Sequence, residues 1–246
     1  MSAGLIAGSA EAADYSRGKA AAMPAPPSPS WDLLFTAAVT SDYVSRGITQ
    51  TDHSPAVQGS VELDVGMFYA GIWASNVDFT APSGATNHTE LDLSVGLRPV
   101  FGDFTFDVGY LRYVYTDSSS NYGEVYGFVT WAINPAWSAT QKVYVNPETS
   151  DAYFETGLAY SFGGGFKLSG AMGNTAWGDT PATDYISWNV GGSYTWANNV
   201  TLDLRLSGTN LSAAECAGNT GSPRACETRF YATLSYATAW SKLMGH

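Results

Sequence analysis

The sequence has no apolar run that approaches the roughly 18–20 residues that a transmembrane helix needs. If the chain enters a membrane, it must do so as β-strands. Charge is also scarce, at 13% of residues, and 22 acidic residues outnumber 11 basic ones, which gives a net charge of −11. This balance argues against nucleic acid or an anionic membrane surface as a partner.

Histidines and hydrolase motifs are equally sparse. The three histidines are His53, His88 and His246, and no G-x-S-x-G segment is present. A Ser/His hydrolase would need a histidine held beside a serine and an orienting polar group. The chain is therefore predicted not to be an enzyme, and a barrel-type lipid hydrolase is the less favoured alternative.

The sequence has only two cysteines, Cys216 and Cys226, both in the polar segment NLSAAECAGNTGSPRAC. No CxxC or Cys/His set accompanies them, so neither a metal site nor a cofactor is predicted. Two cysteines this close together in one loop predict a disulfide and an oxidising compartment. Two free thiols are the alternative.

The first thirty residues differ in composition from the rest. Small apolar residues run to Ala10-Glu11-Ala12, an A-x-A cleavage pattern, without the basic start of a secretory signal. Residues 1–12 are predicted to be a residual signal peptide, and 13–30 an Ala- and Pro-rich periplasmic linker. A disordered Ala-rich N-terminus is the alternative. Residues 31–240 would form the domain and 241–246 a C-terminal tail.

One short stretch, ELDLSVGLR at 90–98, contains the central question about the fold. Its alternate residues are Leu91, Leu93, Val95 and Leu97, and the residues between them are polar, charged or glycine. This period of two indicates a strand with one apolar face. The leucines would face the core of a soluble sandwich or the lipid around a membrane barrel.

Alternating segments of this kind recur from residue 31 onward, with no convincing helix. Short connections with Gly, Pro or Asn alternate with long polar connections, an asymmetry that is typical of outer-membrane barrels. The predicted fold is all-β: a single antiparallel up-and-down transmembrane β-barrel of about 12 strands. The predicted strands are 31–46, 55–65, 68–78, 88–98, 104–115, 122–133, 137–145, 152–162, 166–175, 185–196, 200–209 and 228–240.

The two faces of the predicted strands support the membrane alternative. The polar faces are rich in Gly and Ser and poor in Lys, which suits a confined lumen better than a face exposed to solvent. Trp31 and Tyr43 are predicted to share the lipid-facing side of the first strand. Segments 68–78 and 137–145 do not split cleanly into faces, so they stay unassigned. The predicted interfacial aromatics near the short turns are Trp131, Trp137, Tyr194, Trp196 and Trp240.

Charged residues on the inward faces are the candidates for a pore lining. Acids outnumber bases about two to one among them, so some carboxylates would lack a basic partner and would attract cations in an open lumen. The predicted lining residues are Asp42, Arg46, Glu62, Asp64, Glu90, Asp92, Arg98, Asp107, Glu124, Glu155, Lys167, Asp203 and Arg205.

Residues 40–63, TSDYVSRGITQTDHSPAVQGSVEL, carry the pattern S-D-Y-x-x-R-G, then S/T-Q-T-D, then P-A-x-Q-G. This signature resembles that of the TorF-like porin family, bacterial outer-membrane proteins of the Gcw_chp type. The resemblance implies an outer-membrane barrel over about 31–240 and a pore without a settled substrate. The signature is interpreted as a structural latch in the first outside hairpin, with a solute-binding entrance as the alternative.

These features together predict a porin of the bacterial outer membrane, with passive diffusion of small solutes and a preference for cations. The expected partners are outer-membrane lipid, small ions or solutes, and either another membrane protein or further copies of the chain. A filled structural or interaction barrel is the alternative. The strand count does not decide between them, because twelve lies between filled eight-stranded barrels and open sixteen-stranded channels.

Overall fold

A computed structural model describes residues 31–245, so the predicted signal peptide and linker lie outside the described residues. The chain forms twelve long strands, as predicted. Their bounds are β1 Trp31–Thr40, β2 Ala56–Val65, β3 Phe68–Thr80, β4 Thr86–Leu97, β5 Phe104–Tyr115, β6 Tyr122–Ala132, β7 Trp137–Val145, β8 Ala152–Gly163, β9 Phe166–Ala176, β10 Tyr185–Thr195, β11 Val200–Thr209 and β12 Arg229–Ala239.

The strands form one closed antiparallel barrel. Each strand pairs with its neighbours in the chain, and β1 also pairs with β12 from Leu34 opposite Ala239 to Thr40 opposite Thr233. The pairing of β4 with β5 completes the ring. Closure gives every strand two partners and leaves no long unpaired edge. The predicted up-and-down barrel of twelve strands is therefore confirmed.

The faces of β4 answer the question raised by ELDLSVGLR. Leu93 and Val95 are 41% and 58% exposed on the outer surface, whereas Glu90 and Asp92 are 0% and 2% exposed inside. The barrel is thus apolar outside and charged inside, the reverse of a soluble sandwich. A surface of this kind is suited to lipid, because apolar side chains exposed around a whole barrel would be unfavourable in water.

Aromatic side chains surround the short-turn end of the outer surface. Those exposed by roughly two fifths or more include Trp31, Phe104, Trp131, Trp137, Trp196 and Trp240. Such a ring is typical of the level where lipid meets water. Tyr43 was wrongly predicted to share this surface: it is buried inside the barrel, where its ring meets that of Trp73 edge-on at 5.5 Å.

Strands β3 and β7 have assignable faces in the structure. Tyr69 and Trp73 point inward from β3, and Lys142 and Tyr144 point inward from β7. The inner face of β3 therefore carries two large aromatic side chains, which conceals the alternation in the sequence. A register shift between Asn76 and Phe79 adds a bulge to β3.

Two sequence predictions need correction. The first strand ends at Thr40 rather than at residue 46, because the chain leaves the sheet there and turns inward. The last long loop contains an eight-residue helix, α1 (Ala213–Thr220), although no helix was predicted. A second, four-residue helix, α2 (Trp240–Leu243), follows β12, and Ser241 within it donates to Asp32 on β1. Among the described residues, no helix is long and apolar enough to span a membrane.

Candidate functional site

The barrel interior carries its charges in clusters, and the largest cluster lies near the short turns. The Arg98 guanidinium donates to Asp107 at 2.8 Å and to Glu62 at 2.9 Å, and Asp64 lies 3.8 Å away. The same guanidinium stands 4.1 Å over the Tyr69 ring. One base therefore holds three carboxylates, so this cluster has an excess of negative charge when its acids are ionised.

Two further ion pairs lie elsewhere on the inner face of the barrel. Lys142 on β7 meets Glu155 on β8 at 3.2 Å, a pair that was not predicted because the face of β7 was unassigned. Arg205 on β11 binds its neighbour Asp203 at 2.9 Å and also donates to Asn189 at 2.6 Å. These pairs fix long side chains against the wall, which keeps them from crossing the lumen.

The connection between β1 and β2, residues 41–55, folds back into the barrel and is called the inner hairpin below. Its segments Val44–Ser45 and Ile48–Thr49 pair antiparallel, which leaves Arg46 and Gly47 at the tip. The Arg46 guanidinium makes two parallel hydrogen bonds to the Glu124 carboxylate on β6, at 2.7 and 3.0 Å. Such a bidentate pair has strict geometry and is stronger than a neutral hydrogen bond.

The base of the inner hairpin is fixed by a second ion pair. Arg229, at the start of β12, lies 3.2 Å from the Asp42 carboxylate, and the hydroxyls of Thr49 and Thr51 also donate to that carboxylate. The sequence signature SDYxxRG therefore supplies one anchor at each end of the hairpin, Asp42 and Arg46. These two anchors are the contacts that a structural latch would use, and the interpretation of the signature as a latch stays a prediction.

Glu90 and Asp92 form an acidic pair on β4 that is almost wholly buried. Their neighbours are tyrosines: Glu90 lies beside Tyr43 of the inner hairpin and Tyr115 of β5. Trp73 stands opposite Asp92 on β3. Bulk water therefore reaches this pair only if the inner hairpin moves, although the sequence suggested carboxylates in a wet lumen.

The interior has two unlike walls. The aromatic wall, β3 to β8, carries one contiguous buried cluster: Tyr69, Leu111, Tyr113, Tyr115, Tyr122, Tyr126, Tyr144 and Tyr153. The small-residue wall, β9 to β12 with β1, presents short inward side chains along most of its height. They include Thr36, Ala38, Ser169, Ala171, Ser187, Gly191, Ser193, Ser207, Ser235 and Ala237.

The predicted lining residues lie at several levels of this interior. All are in the clusters above except Lys167, which is exposed at the short-turn end of β9. Lys142 and Arg229 join them as inward-facing bases that the prediction missed. Arg229 could have been found, because it directly precedes the outward Phe230 in the alternation of β12. The pore-lining role of the whole set stays a prediction.

The long loop between β11 and β12, residues 210–228, is called the last loop below. The predicted disulfide between Cys216 and Cys226 is present, and both cysteines are buried. Helix α1 begins with a capping box in which Ser212 and Glu215 bond reciprocally. The hydrogen bonds from Ser212 hold the pKa of the Glu215 carboxyl below its usual value. The S-A-A-E sequence was the signal for this helix.

Solved structures support the fold. The barrel is similar to the KdgM porin, with a TM-score of 0.55 and 10% identity over 83% of this chain and 98% of that chain. It is likewise similar to the NanC porin, with a TM-score of 0.55 and 9% identity over 84% and 98%. Identities this low show a shared barrel architecture and nothing of the solute.

Sequence comparison identifies a family. The family model described as "Bacterial protein of unknown function (Gcw_chp)" matches residues 24–237. No curated protein matches the chain. The Gcw_chp resemblance read from residues 40–63 is thus confirmed, and the narrower TorF-like assignment stays a prediction.

Proposed function

The chain belongs to the Gcw_chp family of bacterial proteins of unknown function, and we propose that it is an outer-membrane porin through which small solutes diffuse passively. The observation that carries this proposal is the inverted barrel. Val57, Phe68 and Met172 are more than half exposed on its outer surface, while ion pairs such as Lys142–Glu155 lie within. Only lipid is a favourable environment for such a surface.

A cation preference follows from the arrangement of charge. Arg98 faces three carboxylates near the short turns, and the acidic pair Glu90 and Asp92 adds further negative charge where movement of the inner hairpin lets water reach it. An acidic lumen raises the local concentration of cations and lowers that of anions. The preference should weaken with salt, because the Debye length falls from about 10 Å at 0.1 M to about 3 Å at 1 M.

The test is conductance of the purified full chain in a planar bilayer. We expect discrete steps, and under a KCl gradient a reversal potential with the sign of potassium preference. The double variant Glu90→Gln with Asp92→Asn should reduce that preference. Chloride preference in the native protein would contradict the charge argument while leaving the porin assignment intact.

A filled barrel without conductance is the second candidate, and one observation favours it. The inner hairpin occupies the lumen, and the cavity beside Arg46 measures about 10 Å³, room for roughly one water molecule. Complete absence of conductance from the native protein and from every variant that loosens the inner hairpin would support this candidate. A phospholipase assay on the same preparation tests the enzymatic alternative, for which we expect no activity.

A further inference from the structure

The tip of the inner hairpin has an unfavourable backbone that its surroundings maintain. Arg46 and Gly47 both have positive φ, at 46° and 83°, as the tight two-residue turn of a β-hairpin requires. Glycine adopts this region freely, whereas an arginine there is strained. The pair with Glu124 and the rings of Tyr144 and Tyr153, 4.8 and 4.5 Å from the guanidinium, hold Arg46 in place.

Gly47 shows how closely the tip approaches the small-residue wall. A Cβ added there would lie 2.7 Å from a methyl carbon of Thr209 and 2.8 Å from the carbonyl oxygen of Gly208. The inner hairpin thus touches β11 on one side and reaches Glu124 on the other. It spans the lumen from wall to wall.

The inner hairpin is nevertheless separate from the barrel sheet. Its two short strands pair only with each other and form a sheet of their own. Single backbone hydrogen bonds connect it to its surroundings, such as Asp78 N–H to Gln50 O at 2.7 Å. It can therefore move without disrupting any pair of barrel strands.

The last loop packs against the outer side of the inner hairpin. Ile48, 2% exposed, lies in one buried cluster with Cys216, Cys226 and Ala225. The Thr49 N–H donates to the Ala225 carbonyl at 2.9 Å. A disulfide that closes a loop reduces the number of conformations the loop can adopt. The apolar surface against which Ile48 packs is therefore preformed.

We propose that the inner hairpin is a movable gate and that the disulfide-braced last loop holds this gate shut. The inference rests on the proposed porin function and adds its regulation. Opening requires that Arg46 leave Glu124 and that Ile48 leave the disulfide cluster. Solute then passes along the small-residue wall, because the tyrosines of the aromatic wall keep their places.

The experiment compares single-channel recordings of the full-length chain and three variants. The first, Arg46→Met with Glu124→Gln, removes the tip anchor without leaving a buried charge unpaired. The second, Cys216→Ala with Cys226→Ala, removes the brace, and the third, Gly47→Ala, displaces the tip sterically. Each should raise conductance or open time at least about twofold, since a wider constriction passes more ions.

The matched control is Arg224→Met with Glu227→Gln. It removes an ion pair from the same last loop whose side chains are 71% and 55% exposed and do not belong to the buried cluster around Ile48. Its recordings should equal those of the native chain. Heat-modifiable migration on gels shows that each variant retains a folded barrel.

The outcomes separate the gate from the porin assignment. A native channel whose conductance and open time are unchanged in all three folded variants would overturn the gate and leave the porin standing. A silent native chain with conducting variants would support a gate that is closed at rest. Silence from every folded protein would overturn both proposals.

Discussion

The aromatic wall and the small-residue wall of this barrel have the same strand geometry but differ in how tightly their inward side chains pack. On the aromatic wall, Tyr113 is fully buried, stacks on Tyr122 at 4.4 Å and donates to Glu124 at 2.8 Å. On the small-residue wall, Ala171 and Ser193 are only partly buried. One wall is packed like a protein core, and the other leaves space beside it.

This difference is what the proposed porin would require, with one wall that stabilises the barrel and another that leaves room for solute. Tyrosines supply large apolar surface together with a hydroxyl that satisfies buried carboxylates. They form the wall against which the Arg46 anchor rests. Short side chains opposite them line the region along which we propose that displacement of the inner hairpin opens a path.

The largest effect should come from truncating the aromatic wall. Tyr113→Ala removes a fully buried ring, and we expect it to lower the free energy of unfolding by about 3–5 kcal/mol. Tyr113→Phe, which leaves Glu124 short of one donor, should cost about 1–3 kcal/mol. Ser207→Ala on the other wall, where the hydroxyl donates to Trp188 O at 3.1 Å, should cost about 1 kcal/mol. Urea unfolding in detergent measures all three, and equal losses would abolish the distinction between the walls.

The second effect concerns bulk on the small-residue wall. Ala171→Trp would place an indole in the proposed solute path, and we expect conductance to fall by roughly half or more. Met172→Trp is the matched control, because this neighbouring side chain is 62% exposed on the outer surface. Planar-bilayer recordings of the two variants should differ clearly. Equal conductance in both would mean that ions do not follow this wall.

A smaller effect is expected on ion preference. Arg98→Met removes the one base held by Glu62, Asp64 and Asp107, so the potassium preference should rise. Arg205→Met leaves only one carboxylate, that of Asp203, without its ion-pair partner, and it should shift the reversal potential less. Reversal potentials under a KCl gradient provide the comparison. A larger shift from Arg205→Met would place the selective charge on the small-residue wall instead.

The smallest effect is local to the last loop, which leaves and rejoins the small-residue wall. Because the folded pKa of Glu215 is lowered by its bonds to Ser212, its contribution to helix α1 is present above the unfolded pKa of about 4.3 and is lost as pH falls through the lower folded value. The protection factors of the α1 amides, which are their exchange rates corrected for the intrinsic pH dependence of exchange, should therefore fall on acidification. Glu215→Gln should lack this pH dependence, and the amides of the aromatic wall should not respond in either protein.

The sequence by itself determined the barrel and most of its faces. Alternation such as that of ELDLSVGLR fixes which side chains share a face, since successive residues of a strand point to opposite sides. Turn residues set the strand ends, so the predicted strands agree with the structure apart from the end of β1. Proximity in one loop was enough to predict the disulfide between Cys216 and Cys226.

Only the tertiary structure decided what fills the barrel. The inner hairpin turns inward because Asp42 meets Arg229 and Arg46 meets Glu124, partners that lie 187 and 78 residues away in the chain. No local pattern encodes such pairings, which exist only after the barrel has closed. Tyr43 illustrates the consequence: strand periodicity places it in lipid, whereas the turn after Thr40 brings it inside against Trp73.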